Sequence, residues 1–396
     1  MTSQRALFLQ YLAQTSPTPL MLEVSRAEGV YFYDPQGKAY IDLISGISVS
    51  NIGHRHPRVL QAIQAQLDKY LHVMVYGELV QSPQNELAKA LIEQLPSPLD
   101  NVYFTNSGSE AIEGAMKLAK RFTGRTELVS CFNAYHGSTQ GALSVSGQEQ
   151  FKNKYRPLLP DVRHIVYGSF RDLEQITSHT AAVLIETIQG EAGVQVACAE
   201  YFQALRQRCT QTGTLLILDE IQAGFGRTGQ LWAFQHFGVV PDILVLAKGM
   251  GGGMPIGAFI SSRQVMEALK ENPILGHITT FGGHPVCCAA ALANLQVIVD
   301  EQLAEQAEAK ADLFKQYLKH PAIRGIRHKG LLMAVAFEDF PLLKKIIDHA
   351  IQLGVLTDWF LYCDNAMRIA PPLTITPAEI EKACQLILQA IDLAIA

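Results

Sequence analysis

The sequence predicts an α/β fold with a mostly parallel sheet between helices. Seven short apolar segments are typical of buried strands, and helical patterns separate most of them. Such alternation indicates a parallel sheet with helices on both faces. The predicted strands are residues 101–105, 127–132, 163–167, 181–186, 214–219, 242–247 and 257–261. The predicted helices among them are residues 109–121, 199–212 and 264–270.

The two ends of the chain predict a second, smaller α+β domain. A short helix over 3–14 is followed by a hairpin of 30–34 and 39–43, joined by a turn that contains Pro and Gly. After a long helix near 285–299, the tail mixes helices with a few strands such as 331–337. We therefore expect a large domain over 50–290 and a small domain formed from 1–49 and 291–396.

Composition excludes several classes of protein. The 396 residues are 48% hydrophobic and 17% charged, as in a well-buried globular enzyme. The net charge of −5 argues against a nucleic-acid partner. Seven cysteines without a CxxC pair, and an N-terminus without a long apolar stretch, predict reduced thiols in the cytoplasm. No run approaches the ~20 apolar residues of a membrane span, so we expect no membrane association.

One basic and one acidic residue stand at the ends of predicted buried strands. Lys248 follows the apolar run 242–247 and precedes a glycine-rich stretch, and Asp219 ends the strand 214–219. Burial lowers the pKa of a lysine, and the free amine can then bind an aldehyde covalently. A carboxylate nearby can hold a pyridinium nitrogen, so the pair suits pyridoxal phosphate. Taken singly, such a lysine is more often a surface residue and such an aspartate a helix cap.

A helix start after the strand 101–105 is a candidate phosphate site. Gly108 and Ser109 would present backbone amides at the positive end of a helix dipole. The alternative is an ordinary capping box with Ser107 or Ser109 as the cap. The segment is not a nucleotide P-loop, and the glycines of 249–255 lead into a proline rather than a helix, which disfavours a dinucleotide site.

Five motifs, taken in chain order, resemble those of one family, the class III (ω-)aminotransferases. These are fold-type I enzymes that use pyridoxal phosphate. The wording is nearest to the acetylornithine and ornithine aminotransferase branch, and the resemblance spans residues 30–375. The motifs are NIGHRHP (51–57), ETIQGEAGV (186–194), DEIQAGFGRTG (219–229), DILVLAKGMGGGMP (242–255) and TTFGGHP (279–285). The resemblance implies a transaminase with a large domain, a small domain and a homodimeric active site.

The resemblance also implies roles for the residues that would hold the cofactor. Lys248 would bind its aldehyde and move a proton, and Asp219 would keep its ring nitrogen protonated. The other implied contacts are Gln222 to the phenolic oxygen, Tyr135 on the ring face, Glu186 as a supporting carboxylate, Gly108 and Ser109 on the phosphate, and Thr280 on the phosphate of the neighbouring subunit. From composition alone, Tyr135 is equally well an ordinary core aromatic.

Two further residues would bind substrate. Arg368, in AMRIAPPL (366–373), would pair with the α-carboxylate of glutamate or 2-oxoglutarate. Glu191 would pair with Arg368 while the other substrate, with its amine on a distal carbon, is bound. This pattern predicts ping-pong transfer from a distal amine, or a β- or ω-amino acid, to 2-oxoglutarate or another 2-oxo acid.

The chain departs from the family where the donor would bind. Ser138 stands where the branch carries an arginine for the donor's far carboxylate, and Ile47 stands where ornithine-type enzymes carry a tyrosine. Both changes predict a more apolar and less cationic donor pocket, suited to a diamine, another amine or a β-amino acid.

Two other readings share the scaffold, and a metal site is not expected. An aminomutase would lack the GFGRTG wording found at 224–229, and a decarboxylating transaminase would carry glutamine in place of Ile47. A scaffold without activity would have no physical reason to retain the buried lysine and its counter-groups. The histidines His54, His56, His136 and His164 do not have zinc-like spacing with Cys or Asp, so no metal is predicted.

Overall fold

The structure is a computed structural model that describes residues 3–396. Its strands are β1 (Arg26–Glu28), β2 (Tyr31–Tyr33), β3 (Ala39–Asp42), β4 (Asn101–Thr105), β5 (Glu127–Cys131), β6 (Val162–Ile165), β7 (Thr180–Glu186), β8 (Leu215–Asp219), β9 (Ile243–Leu246), β10 (Gly257–Ser261), β11 (Gly325–Lys329), β12 (Leu332–Ala336), β13 (Val355–Leu356), β14 (Asp358–Phe360) and β15 (Cys363–Ile369).

Helices lie between and around these strands, and α2 is a single turn in which Gly46 and Ile47 have left-handed backbone angles. They are α1 (Gln4–Tyr11), α2 (Ser45–Ser48), α3 (Pro57–Leu67), α4 (Ser82–Glu93), α5 (Gly108–Thr123), α6 (Gln140–Val145), α7 (Ala199–Thr212), α8 (Arg263–Met266), α9 (Pro285–Asp300), α10 (Ala307–Tyr317), α11 (Phe340–Leu353) and α12 (Pro377–Ile395).

A seven-stranded sheet forms the centre of the fold, in the order β4-β10-β9-β8-β7-β5-β6. Strand β10 runs antiparallel to both of its neighbours, and the other pairs are parallel. The predicted α/β class and the predicted strands are therefore confirmed. Their near-continuous apolar sequence follows from burial on both faces.

Alternate residues of the central strands enter two separate cores. In β8, Leu216 and Leu218 pack in the core that includes α7 and α9, whereas Leu215 and Ile217 pack in the core that includes α5. This is the two-residue period of a strand that has helices on each face. Both faces of the central sheet are thus covered by apolar packing.

Two four-stranded sheets lie outside the central one. The first joins β1, β2 and β3 to β13, so the N-terminal hairpin shares a sheet with the C-terminal region. The second has the order β11-β12-β15-β14 and is antiparallel throughout. The predicted hairpin is present. The division at residue 290 stays a prediction, and it falls inside the continuous helix α9.

Within residues 3–396, no helix combines the length and the apolar character needed to cross a membrane.

Candidate active site

The carboxyl ends of adjacent parallel strands bring the predicted groups to one edge of the central sheet. Glu186 and Asp219 end β7 and β8 as direct cross-strand partners. Lys248 follows β9, the next strand in the sheet. All three line a cavity of about 410 Å³. Ligands of open parallel sheets bind at this edge, because the loops that follow the strands converge there.

Lys248 lies in this cavity with a left-handed backbone angle, φ 47°. Burial lowers the pKa of its ammonium group, Glu191 opposes that effect, and Arg368 adds to it. The net pKa lies below that of an exposed lysine. A larger share of free amine is thereby available at neutral pH, as a nucleophilic lysine requires.

Asp219 is held by a buried histidine, His136, to which the sequence assigned no partner. His136 Nδ1 lies 2.7 Å from Asp219 Oδ2, and its Nε2 lies 3.2 Å from the Ser130 hydroxyl. The backbone N–H of Ile221 donates to Asp219 Oδ1 at 2.9 Å. His136 is adjacent to the predicted Tyr135, but only the fold brings it to Asp219. The carboxylate is thus fixed in orientation from two sides.

Glu186 is almost fully buried beside Asp219. Its Oε1 accepts from the backbone N–H of Tyr135 at 3.0 Å, and its Oε2 accepts from that of Gly190 at 2.9 Å. Burial first, and then the charge of Asp219, raise the pKa of Glu186 to about 8, although the two backbone donors oppose the rise. Glu186 therefore carries a proton over much of the neutral range in the cofactor-free chain.

The predicted phosphate position is the N-terminus of α5. Ser107 caps this helix by accepting from the backbone N–H of Glu110 at 3.2 Å, so the capping alternative is also present. Asn106, Ser107, Gly108 and Ser109 line the cavity. A Cβ at Gly108 would lie 2.8 Å from Ile221 Cδ1, so a larger residue here would require the Ile221 side chain to shift. Capping and anion binding are compatible here, because α5 spans Gly108–Thr123 and has further free amides.

Gln222 and Tyr135 are two polar side chains of the cavity wall. The Nε2 group of Gln222 is buried and has no hydrogen-bond partner within the described chain. Tyr135 lines the cavity, and its hydroxyl lies 3.2 Å from that of Ser138. An unpaired buried amide is costly unless a ligand pairs with it. Gln222 therefore brings a buried donor without a protein partner to the cavity wall.

Arg368 and Glu191, which the resemblance pairs, form a bidentate ion pair. Arg368 Nη1 donates to Glu191 Oε1 at 2.8 Å, and Nη2 donates to Oε2 at 3.0 Å. Burial raises the pKa of Glu191, but Arg368 outweighs it and the net pKa is lowered. Arg368 Nε also donates to Asp358 Oδ1 at 3.0 Å, a contact absent from the sequence analysis. Glu191 lines the cavity and separates Arg368 from it.

Other predicted residues lie outside the cavity wall of this single chain. Thr280 is exposed. Ile47 is half-buried with φ 64°, and Val49, two residues later, lines the cavity instead. Ser138 is exposed and reaches the cavity only through Tyr135. Ile47 lies in the left-handed turn of α2, which has no signature in the motif.

Comparison with known families now identifies the class of protein. The family model named aminotransferase class-III matches residues 11–391. The chain belongs to the class III aminotransferases, and it is a fold-type I enzyme that depends on pyridoxal phosphate.

Individual relatives narrow the branch. An acetylornithine aminotransferase from Methanopyrus kandleri is 39% identical over 361 residues, which cover 90% of each chain. A [LysW]-aminoadipate semialdehyde/glutamate semialdehyde transaminase from Sulfurisphaera tokodaii is 36% identical over 372 residues, 91% of this chain and 92% of that protein. The ornithine aminotransferase of Toxoplasma gondii, crystallised with partial occupancy of pyridoxal phosphate, has a TM-score of 0.91 and 32% identity over 98% of this chain and 93% of its own. The chain is similar to the acetylornithine and ornithine branch, as its motifs indicate.

The cavity residues fit this cofactor. Lys248 is a buried amine, the N-terminus of α5 borders the cavity with its first backbone amides, and Gln222 has an unpaired buried donor. Together they match the aldehyde, the phosphate and the phenolic oxygen of pyridoxal phosphate.

Proposed function

We propose that the enzyme moves an amino group from a donor with a distal amine to 2-oxoglutarate by a ping-pong mechanism. The bidentate pair of Arg368 and Glu191 is the observation that carries the proposal. A guanidinium fork paired with the protein's own carboxylate can exchange that carboxylate for the α-carboxylate of glutamate or 2-oxoglutarate. The same site can then alternate between a substrate with this group and a substrate without it.

The residues at the sheet edge would divide the chemical work. When bound, pyridoxal phosphate supplies an aldehyde that takes up the amine and a ring that accepts electrons. Lys248, with its lowered pKa, would take a proton from the substrate carbon and return it. Asp219, fixed by His136, would hold a proton on the ring nitrogen. Gln222 would bond the phenolic oxygen, Tyr135 would cover the ring, and Glu186 would support this wall.

The proposal includes a homodimer in the cytoplasm. Thr280 is exposed and lies outside the cavity of its own chain, as a residue would that reaches the phosphate site of a partner. The loop around it contacts the phosphate side of its own cavity, since Asn106 Nδ2 donates to Thr279 Oγ1 at 3.0 Å. All seven cysteines are free, as is usual for reducing compartments.

For the donor, we propose a molecule that needs no cationic partner at its far end. Among the cavity-lining residues of the described chain, Lys248 is the one lysine or arginine. Val49 and Ile188 line the cavity, Ser138 contacts the cavity-lining Tyr135, and none of the three carries a charge. A diamine, a simple amine or a β-amino acid fits this chemistry. The relatives named above favour a second candidate, an ornithine that is acylated on its α-amine.

The test is an absorption titration of the purified holoenzyme. Glutamate should remove the visible band of the lysine-bound cofactor, and 2-oxoglutarate should restore it. Putrescine, β-alanine, ornithine and N-acetylornithine are then compared as donors by the rate at which each removes the band. Arg368→Lys keeps the charge but lacks the fork, so it should raise the KM for 2-oxoglutarate at least about tenfold.

Each result separates the alternatives. Fast bleaching by putrescine or β-alanine supports the apolar donor site, whereas a clear preference for N-acetylornithine assigns the enzyme to the second candidate. If 2-oxoglutarate never restores the band, Arg368 loses its proposed role. Amino nitrogen that stays on the carbon skeleton would indicate an aminomutase, and release of carbon dioxide would indicate a decarboxylating transaminase.

A further inference from the structure

The ion pair at the edge of the cavity has a third charged member, Asp358. Arg368 makes four hydrogen bonds through its guanidinium group, and two of them go to Glu191. The other two go to one short segment: Nε donates to Asp358 Oδ1 at 3.0 Å, and Nη2 donates to the Trp359 carbonyl at 3.2 Å. The Phe360 ring lies beneath the guanidinium, 4.6 Å from centroid to Cζ. Strand β14 therefore supplies the contacts that the guanidinium makes besides those with Glu191.

This contact is built into the sheet. Asp358 and Arg368 are direct cross-strand partners in the antiparallel pair of β14 and β15. The register shifts between Trp359 and Phe360, as at a β-bulge, and such shifts re-aim the next side chain. Cross-strand partners are close because of the backbone register, so the contact does not depend on where Glu191 lies.

The two partners of Arg368 differ in how they are anchored. Arg368 lies on β15, an interior strand between β12 and β14. Glu191 lies in an irregular turn between Gly190 and Gly193, outside any helix or strand. Apart from Arg368, the Glu191 carboxylate is held by one bond, from the backbone N–H of Leu361 at 2.9 Å. The guanidinium is held by two further bonds and by the Phe360 ring, so Glu191 is the half with fewer constraints if the pair opens.

The charges are consistent with this division. Burial raises the pKa of Asp358 to about 6, with Arg368 opposing the rise and Glu191 adding to it. Asp358 is therefore mostly ionised at neutral pH, and its bond to Arg368 is charge-assisted. When a substrate carboxylate replaces Glu191, the group of three keeps one guanidinium and two carboxylates, so the exchange does not change the local charge.

We propose that Asp358 is a positioning residue that keeps Arg368 fixed when Glu191 leaves it. Asp358 thereby sets the affinity of the enzyme for the α-carboxylate of a 2-oxo acid. The inference rests on the proposed function, because it takes Arg368 as the carboxylate site. Without Asp358, only the Trp359 carbonyl and the Phe360 ring hold the guanidinium, so it can follow Glu191 as it moves. The substrate carboxylate must then spend binding energy to reposition the arginine. A preorganised arginine avoids that cost.

The experiment compares Asp358→Ala and Asp358→Asn in the holoenzyme, with 2-oxoglutarate as the probe. The alanine variant should raise the KM for 2-oxoglutarate about tenfold while kcat changes less than about threefold, as expected for loss of one charge-assisted bond in binding. The asparagine variant keeps an oxygen that accepts from Nε. We expect its KM to lie within about threefold of the KM of the unmodified enzyme. The asparagine has no charge to repel a carboxylate, so Glu191 and the substrate carboxylate gain equally at Arg368.

Control variants distinguish this role from a general effect on the hairpin. Asp364→Ala removes an exposed acid from the same strand pair and should leave both constants unchanged. If Asp358→Ala does not fold, Asp358→Ser, too short to reach Nε, is measured in its place with the same expectation.

The possible failures are separable. An unchanged KM in the alanine variant overturns the inference, whether or not kcat falls. If Arg368→Lys raises the KM but Asp358→Ala does not, the proposed function stands and only the inference fails. If Arg368→Lys leaves the KM unchanged, the carboxylate site itself is wrong and the inference fails with it.

Discussion

The edge of the central sheet and the small antiparallel sheet build their functional groups in different ways. At the central sheet, Glu186, Asp219 and Lys248 follow the ends of neighbouring parallel strands, and the backbone direction brings them together. At the small sheet, Arg368 lies inside a strand, and its partners come from a cross-strand neighbour and from a distant turn. The first arrangement fixes groups permanently, whereas the second leaves one partner able to depart.

The largest effect is expected at the central sheet, where one group cannot be replaced. Lys248→Ala removes both the amine that binds the cofactor and the group that moves the proton. We expect a loss of turnover of at least about 10³-fold, because a positioned base and a covalent attachment are lost together. The exposed Lys154→Ala is the matched control and should keep full activity. A Lys248→Ala enzyme with a tenth of the normal rate would remove the proposed role of this residue.

At the small sheet, removal of the shared cation should damage stability as well as activity. Arg368→Ala leaves Glu191 and Asp358 as two acids without a cation, and Glu191 is almost fully buried. We expect the free energy of unfolding to fall by about 3 kcal/mol, as is usual when one member of a buried pair is removed. Chemical denaturation at neutral pH measures this change.

The same measurement has a natural contrast. Arg324 pairs with Glu338 at 3.0 Å, but both side chains are more than half exposed. Arg324→Ala should therefore cost less than about 1 kcal/mol. Equal losses of unfolding free energy in the two variants would show that burial of its partners does not increase the contribution of Arg368 to stability.

The same difference decides what could be predicted from the sequence. The strands of the central sheet are continuous apolar runs, and their end residues could be read directly as site candidates, as for Asp219 and Lys248. His136 and Asp358 could not, because a histidine after β5 and an aspartate on a short strand have no local pattern that names their partners. Only the register of β14 against β15 places Asp358 on Arg368. Val49 on the cavity wall was not predicted either, because the left-handed turn at Gly46 and Ile47 has no local sequence pattern.

A smaller effect should follow from the histidine that holds Asp219. His136→Ala removes the contact of 2.7 Å to Asp219 Oδ2 and leaves that buried carboxylate with the Ile221 amide on its other oxygen. We expect kcat to fall about tenfold through a less well-oriented acid. His164→Ala is the control, since His164 contacts backbone carbonyls of Val145 and Ser146 rather than Asp219. If both variants lose the same activity, the effect is one of folding.

The smallest effect concerns how the site without cofactor responds to pH. Because the pKa of Glu186 rises from its ordinary 4.5 to about 8 in the folded chain, the folded state binds one more proton than the unfolded state between these values. Its contribution to stability is therefore complete below about pH 4.5 and is lost as the pH rises through 8. Glu186→Gln cannot titrate, although its amide oxygen can still accept one of the two backbone bonds.

For the cofactor-free protein, the loss of unfolding free energy from pH 5.5 to pH 8.5 should thus be smaller in Glu186→Gln than in the unmodified chain, by about 1 kcal/mol or more. The exposed Glu305→Gln should not change that difference. Glu220, whose pKa burial raises to about 7, contributes to the pH dependence of both proteins and cancels in the comparison. A pH dependence that is the same in both proteins would mean that Glu186 is ionised beside Asp219, and that the repulsion between these two strand ends is offset within the sheet edge itself.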